Sequence, residues 1–479
     1  MSTPVCAQPT SKSAVTGRGP APRYPTTVLD RVFSAIEQVG ANPFCVQLVV
    51  RLNGRLDERL LARAVRLTLE AEPYLGCRFL EHWFRPFWEP IEDLDSLRLL
   101  EVCPTDSWRD SLEGVLSQPI DRERECAVKV VLLRDTVDVL CVKLDHKMGD
   151  GQAAKDYAYL LAQTYSRLAD DSEYAPSPNP NRDRSLGQIP RGGSGAGSSA
   201  PQPSPTSPTR DRSPAGQWYL PRPPASASIG PSSRFLIEQI PPERHAAVFR
   251  YACRHRATVS QVLLASFIRA ALLKVPHSAS GSLRVRTTLD LRRYLPSKQA
   301  NVPCNLAGLL SLRVDPAGGD GLDEWVGQVR DQMYAARAAF MGRPHRQMFR
   351  PEVDKRTRWA LRFIPFALGA RLVFGVLPFR WFKRIAKRQL QRGAEKDDCP
   401  SRLMFTDIGP IRADRLGFSH VEAVEAFVSS GTVMLRGLML VSATEFCGTL
   451  TLSLGYSPLA VDSACMEDFF ATLVDGLPA

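Results

Sequence analysis

The chain has 479 residues, of which 44% are hydrophobic and 23% charged, and it carries a net charge of +11 at pH 7. That length holds two large domains or three ordinary ones, and the balance is that of a globular protein, which excludes a fibrous or wholly disordered chain. The basic excess selects acidic partners, either a membrane surface or phosphorylated carriers such as coenzyme A and acyl carrier proteins; nothing resembles a nucleic-acid-binding module, so nucleic acid is not expected.

Residues 1–22 are polar and rich in Pro, Gly and Ser, with no apolar core of a secretory signal, and are expected to be a disordered tail of a cytoplasmic protein. The eleven Cys residues form no C-x-x-C pair and no metal-ligand spacing. They read as reduced, mostly buried thiols, and no metal is expected.

A first half is predicted over 23–175. Val28, Phe33 and Ile36 predict a short helix, and 44–52 a strand ending at Asn53-Gly54. Asp57 reads as the cap of a helix with Leu60, Leu61, Ala64, Val65 and Leu67 on its apolar face. A helix over 106–117 precedes two strands, 125–133 and 137–144, which pair antiparallel around Arg134-Asp135. The second of these runs straight into Asp145-His146, the turn Gly149-Asp150-Gly151 and a helix over 152–168. Its Tyr157, Leu160, Leu161 and Tyr165 stripe has the spacing of core packing. His146 thus sits at the end of a rigid element, which can hold a base steady and still expose it to substrate. Asp150 can fold back and lock the corner, and Gly151 lets other backbone pass close by.

Residues 176–232 are dominated by Pro, Ser, Gly and Arg and are expected to be a disordered linker, with Trp218-Tyr219 as a local anchor. The second half, 233–479, starts with a strand over 233–240, a helix over 242–254 and an apolar helix over 258–273 with Ser260 as its N-cap. A strand over 283–289 leads to Asp290 and Arg292, and a long helix covers 321–341. The segment 356–392 is apolar, aromatic and basic at once. Arg362, Arg371 and Arg380 break it below the length of a bilayer span, leaving two alternatives: helices lining the core or a tunnel, or a peripheral membrane contact. Strands over 432–441 and 449–456 and a helix over 462–477 complete the chain.

His146, Asp150 and Gly151 spell H-x-x-x-D-G, which resembles the HHxxxDG motif of the chloramphenicol acetyltransferase-like acyltransferase superfamily. That superfamily includes the condensation domains of peptide synthetases, the wax ester and diacylglycerol acyltransferases, and polyketide-associated acyltransferases. Asp145 stands where the first His of the motif would be. Gly54-Arg-Leu-Asp57 and Pro73 to Phe79 are similar to the superfamily's opening, and the helix over 258–273 is similar to its T-V-N-D-V-L-L-A-A helix. Asp290-Leu-Arg292 followed by Asn305-Leu-Ala-Gly308 is a second motif; Thr406-Asp407-Ile-Gly-Pro410 is a third, in place of S-N-x-G-P.

The resemblance implies an α/β fold of two chloramphenicol-acetyltransferase-like sub-domains, mixed sheets with flanking helices, forming a pseudo-dimer with a tunnel at the interface. It implies that His146 is the catalytic base and that Asp150 pairs with an Arg to hold its loop; which Arg is open, since Arg292 can also be engaged within its own half. Asp145, Gly149, Gly151, Asp290, Arg292, Asn305 and Thr406 would support the site, with Thr406 at the oxyanion. The implied reaction moves an acyl group from acyl-CoA or an acyl carrier protein, as a phosphopantetheine thioester, to the hydroxyl of a small acceptor, with no bound cofactor. The alternatives are an amine acceptor giving an amide, or a condensation-like binding module whose chemistry has decayed. A monomer is expected.

Overall fold

The computed structural model describes residues 23–37, 45–82, 86–121, 125–189, 216–223, 233–278, 281–319, 321–342, 401–431 and 438–479. The expected tail, the segment 356–392, most of the expected linker and residues 432–437 lie outside the described residues.

The first half begins with β1 (Tyr24–Pro25), α1 (Val28–Glu37), β2 (Cys45–Leu52) and α2 (Glu58–Ala71). Asp57 caps α2 by accepting the Leu60 N–H. β3 (Cys77–Leu80) and β4 (Phe87–Pro90) form a small sheet with β1, in the order β1-β4-β3. Then come β5 (Leu100–Pro104), α3 (Trp108–Ser117), β6 (Val128–Arg134), β7 (Asp138–Asp145) and α4 (Gly151–Asp170). β6 and β7 pair antiparallel from Val128↔Leu144 to Arg134↔Asp138, as the bend at Arg134-Asp135 predicts.

All eight residues of β7 are buried. Its Leu140, Val142 and Leu144 pack with α2 and α4 on one face of the sheet, while Val139 and Cys141 pack with α3 on the other. A strand covered on both sides reads as a continuous apolar run instead of an alternation, and it makes a stiff mount for whatever follows it.

In the second half the elements are β8 (Arg234–Ile240), α5 (Pro242–Arg254), α6 (Val259–Lys274), β9 (Leu283–Asp290), β10 (Ala307–Val314), α7 (Leu322–Gly342) and β11 (Arg402–Pro410), with β12 (Gly417–Phe418), β13 (Val421–Ser429), β14 (Leu438–Phe446), β15 (Thr449–Tyr456) and α8 (Ser463–Asp475) completing it. Its mixed sheet has the order β10-β9-β11-β14-β15-β8, with β11 parallel to both of its neighbours. The N-cap of α6 is Thr258, not Ser260. Thr258 accepts the Gln261 N–H while the Gln261 side chain accepts the Thr258 N–H, a reciprocal box that requires this three-residue spacing and leaves Ser260 inside the first turn.

Two departures from the sequence reading bear on the site. β12 and β13 leave the second half and complete the first sheet, which runs β12-β13-β2-β7-β6-β5. β13 pairs antiparallel with β2 from Ala423↔Leu52 to Ser429↔Gln47. The two halves therefore divide the sequence near 232 without dividing the sheets. Parts of the expected linker are also packed: Arg184 and Ile189 are each only 3% exposed, and Trp218 only 2%. Average composition hides such isolated buried residues. The Trp218 indole donates to the Arg284 carbonyl, and its backbone bridges Ser401 and His277.

Candidate active site

β7 delivers Asp145 and His146 into a loop that ends where Asp150 caps α4. His146 is partly buried, and its ring stacks on Phe33 of α1 at a centroid distance of 4.1 Å and an interplanar angle of 21°. Nδ1 is enclosed, with no direct hydrogen bond among the described residues. Burial pushes the imidazole pKa below its ordinary 6.5, against the opposing pull of its own backbone and of the Asp150 and Asp145 carboxylates. The ring is thus held in the neutral form that accepts a proton.

The loop is fixed from the second half. Asp150 is buried, and each of its oxygens accepts two bonds: Oδ1 from Arg292 Nη2 (2.9 Å) and the Ala153 N–H (3.1 Å), Oδ2 from Arg292 Nη1 (2.9 Å) and the Leu306 N–H (2.8 Å). Burial alone would raise this carboxyl; the Arg292 guanidinium and the N–H donors bring it below the ordinary carboxylate range. The open choice of arginine is thereby settled as Arg292, which also donates to the Cys304 carbonyl and, more loosely, to Asp290 at 3.3 Å. Asn305 Nδ2 donates to the carbonyls of His146 (2.8 Å) and Lys147 (3.2 Å), gripping the backbone of His146 itself. Asp150, Arg292 and Asn305 converge on this one loop, and Asp290 sits at its edge.

No protein-family model and no curated protein sequence matches the chain. Solved structures do. The first condensation domain of the CDA synthetase superposes with a TM-score of 0.62 at 15% identity, covering 96% of this chain and 97% of that one. The trichothecene 15-O-acetyltransferase from Fusarium sporotrichioides gives 0.62 at 12% identity, covering 94% and 93%. Polyketide synthase associated protein 5 from Mycobacterium tuberculosis gives 0.57 at 15% identity, covering 94% and 98%. The chain has the chloramphenicol acetyltransferase-like condensation fold.

In this condensation fold the position before His146 is occupied by a buried ion network. Asp145 accepts from Lys147 Nζ at 2.8 Å, and the same ammonium reaches Glu37 of α1 at 3.1 Å. Lys147 is 1% exposed, so Asp145 serves to neutralise a buried cation beneath the loop.

A second arginine, Arg184, was not foreseen as a site residue. It lies in the stretch whose composition reads as linker, yet it donates to the Lys147 (3.0 Å), Met148 (2.8 Å) and Pro303 (3.0 Å) carbonyls and pairs with Asp30 of α1 at 2.8 Å. Phe33 was likewise foreseen only as a helix residue. Its one sequence signal is an aromatic on an amphipathic helix, which more often means core.

Thr406, on β11, shares a 2.6 Å hydrogen bond with Thr288 of β9. Asp407 accepts the Gly409 N–H at 2.9 Å, and burial raises its carboxyl pKa. Lys155 of α4 ties the halves together by donating to the Ile408 (2.8 Å) and Pro410 (3.1 Å) carbonyls.

Gly149 and Gly151 are required by space, not by backbone angle. A Cβ on Gly149 would lie 2.5 Å from Ala153 Cβ, and one on Gly151 2.8 Å from Ile408 Cγ2. Gly151→Ala is therefore expected to lower stability by about 1–3 kcal/mol through overpacking, with Ile408→Ala in the same chain returning part of it. Urea unfolding of the single and double variants measures this; strict additivity would sink the contact as the cause.

Proposed function

We propose that the chain transfers an acyl group from a thioester to the hydroxyl of a small acceptor, with His146 as general base. What supports this reading is the mounting of His146, stacked on Phe33, its pKa lowered by burial, on a loop gripped through Asp150 and Asn305 from the other half. Nε2 takes the hydroxyl proton as the oxygen attacks the thioester carbonyl. The tetrahedral intermediate then expels the thiolate, which recovers that proton from the imidazolium. With Thr288 as donor in the Thr288–Thr406 bond, the Thr406 proton is left for the oxyanion. Donor and acceptor would enter along the interface of the two halves, through a tunnel leading to His146.

The test is thiol release from short- to long-chain acyl thioesters with pooled alcohols and amines. Acceptor-dependent release that falls roughly 100- to 10,000-fold in His146→Ala is the expected result. Equal release by the variant would remove His146 from the chemistry, and amine dependence would replace ester by amide formation.

The pH profile gives an independent check. Because the pKa of His146 is depressed, the basic form is present throughout the neutral range and is lost only as pH falls through a value below 6.5. kcat/KM is expected to be flat near pH 7 and to drop on the acid side; a midpoint above 7 would contradict a buried neutral imidazole.

A further inference from the structure

The sheet face that ends at Asp290 carries cations the site itself does not use. β9 alternates: Leu283, Val285, Thr287 and Leu289 are buried, while Arg284, Arg286, Thr288 and Asp290 are partly or fully exposed on the other face. The register sets Arg313 of β10 beside Arg284, and Ser311 of β10 and Met404 of β11 beside Arg286, with Arg402 one alternation before Met404. Four arginines thus share one end of a single face. Among the described residues, no carboxylate is ion-paired with Arg286, Arg313 or Arg402. Burial, with Arg402 and Arg284 acting in the same direction, lowers Arg286 to about 10.

The end of this face nearer the site has a different character. It holds Thr288 and Thr406, the partly exposed Leu309 and Met404, and finally Asp290 beside Arg292. Arg286 and Arg284 stand four and six residues from Asp290, roughly 13 and 20 Å along the strand. The phosphopantetheine arm of coenzyme A joins its sulfur to its first phosphate through twelve atoms, roughly 15 Å at extended-chain spacing. That span is of the order of the separation between the Asp290 end of the face and the arginines, and planar guanidinium groups suit bidentate phosphate recognition.

We propose that Arg284, Arg286, Arg313 and Arg402 form a phosphate site for the diphosphate end of an acyl-coenzyme A whose thioester reaches the His146 loop. This rests on the acyl-transfer reading and narrows its donor to one bearing several phosphates, where a carrier-linked arm offers a single phosphodiester.

Calorimetric titration of the full chain with coenzyme A and with phosphate-free pantetheine tests it apart from turnover. Arg286→Gln/Arg402→Gln is expected to weaken coenzyme A binding roughly 10- to 100-fold per charged hydrogen bond lost, leaving pantetheine binding unchanged. In the wild type, added salt should weaken coenzyme A binding and leave pantetheine binding unchanged, a readout independent of whether the double variant folds. Arg286→Lys, which keeps the charge, should fall between. Equal effects on both ligands, no effect on either, or no coenzyme A binding alongside turnover of a carrier-linked donor would overturn the site. Arginine-dependent coenzyme A binding without acyl transfer from any donor would sustain it while removing the acyl-transfer reading; coenzyme A turnover with KM unchanged in the variants would do the reverse.

Discussion

Arg292→Ala is expected to lower stability by about 3–5 kcal/mol and to abolish turnover in the same step. Asp150 and Arg292 are both nearly sealed from solvent, with side chains 6% and 4% exposed, and they meet through two parallel bonds of 2.9 Å. Removing the guanidinium leaves a buried carboxylate with only the Ala153 and Leu306 N–H donors. It also frees the Cys304 carbonyl and uncouples the His146 loop from the second half. A displacement of about 1 Å at a reacting group can cost a hundredfold in rate.

The pH dependence carries a sign. In the wild type the depressed Asp150 pKa contributes stability that is present above the unfolded value and is lost as pH falls through the folded one. In Arg292→Ala that carboxyl titrates upward, so the gap between variant and wild type should narrow on acidification. Asp150→Asn should recover part of the variant's stability by removing the orphaned charge. Urea unfolding at two pH values decides: a loss under about 1 kcal/mol, independent of pH, would mean that solvent reaches the pair.

Arg184→Leu is expected to have a comparable effect from a position that looks remote in sequence. One guanidinium joins α1 through Asp30, the His146 loop through the Lys147 and Met148 carbonyls, and the second half through the Pro303 carbonyl. Asp30 retains its bonds from Trp88 Nε1 (2.9 Å) and the Thr27 N–H (3.0 Å) but loses its cation. The expected loss is about 3–5 kcal/mol. Arg184→Lys should be intermediate, because an ammonium replaces the charge but cannot span four acceptors in different directions. Full activity and an unchanged unfolding midpoint in Arg184→Leu would refute its place in the site.

These two arginines mark what the sequence made legible. His146, Asp150, Gly151 and Arg292 lie in short motifs whose residue types have few alternative uses in that order, and the apolar run before His146 suits a strand buried in a sheet. Arg184 carries no such signal. It is a single charged residue among Pro, Ser and Asn, and only the closed structure gives it four acceptors. The displaced cap of α6 was readable, since Thr258 and Gln261 have the box spacing; choosing the nearest Ser overlooked the reciprocal partner. The destination of β13 was not readable, because a strand's alternation reports which face is buried and not which sheet receives it.

That strand has a consequence for synthesis. Until residues 417–429 have been made, β2 lacks the partner that covers its outer edge, and an apolar edge of this kind invites pairing with other chains. At translation rates of about 5–20 residues per second, the interval between the emergence of β7 and that of β13 lasts roughly a quarter of a minute to a minute. The His146 loop, by contrast, waits only for Arg292 and Asn305, which are made well before β13. A nascent chain stalled between the halves would be a client for chaperones, and a first half expressed alone should be recovered mainly as aggregate.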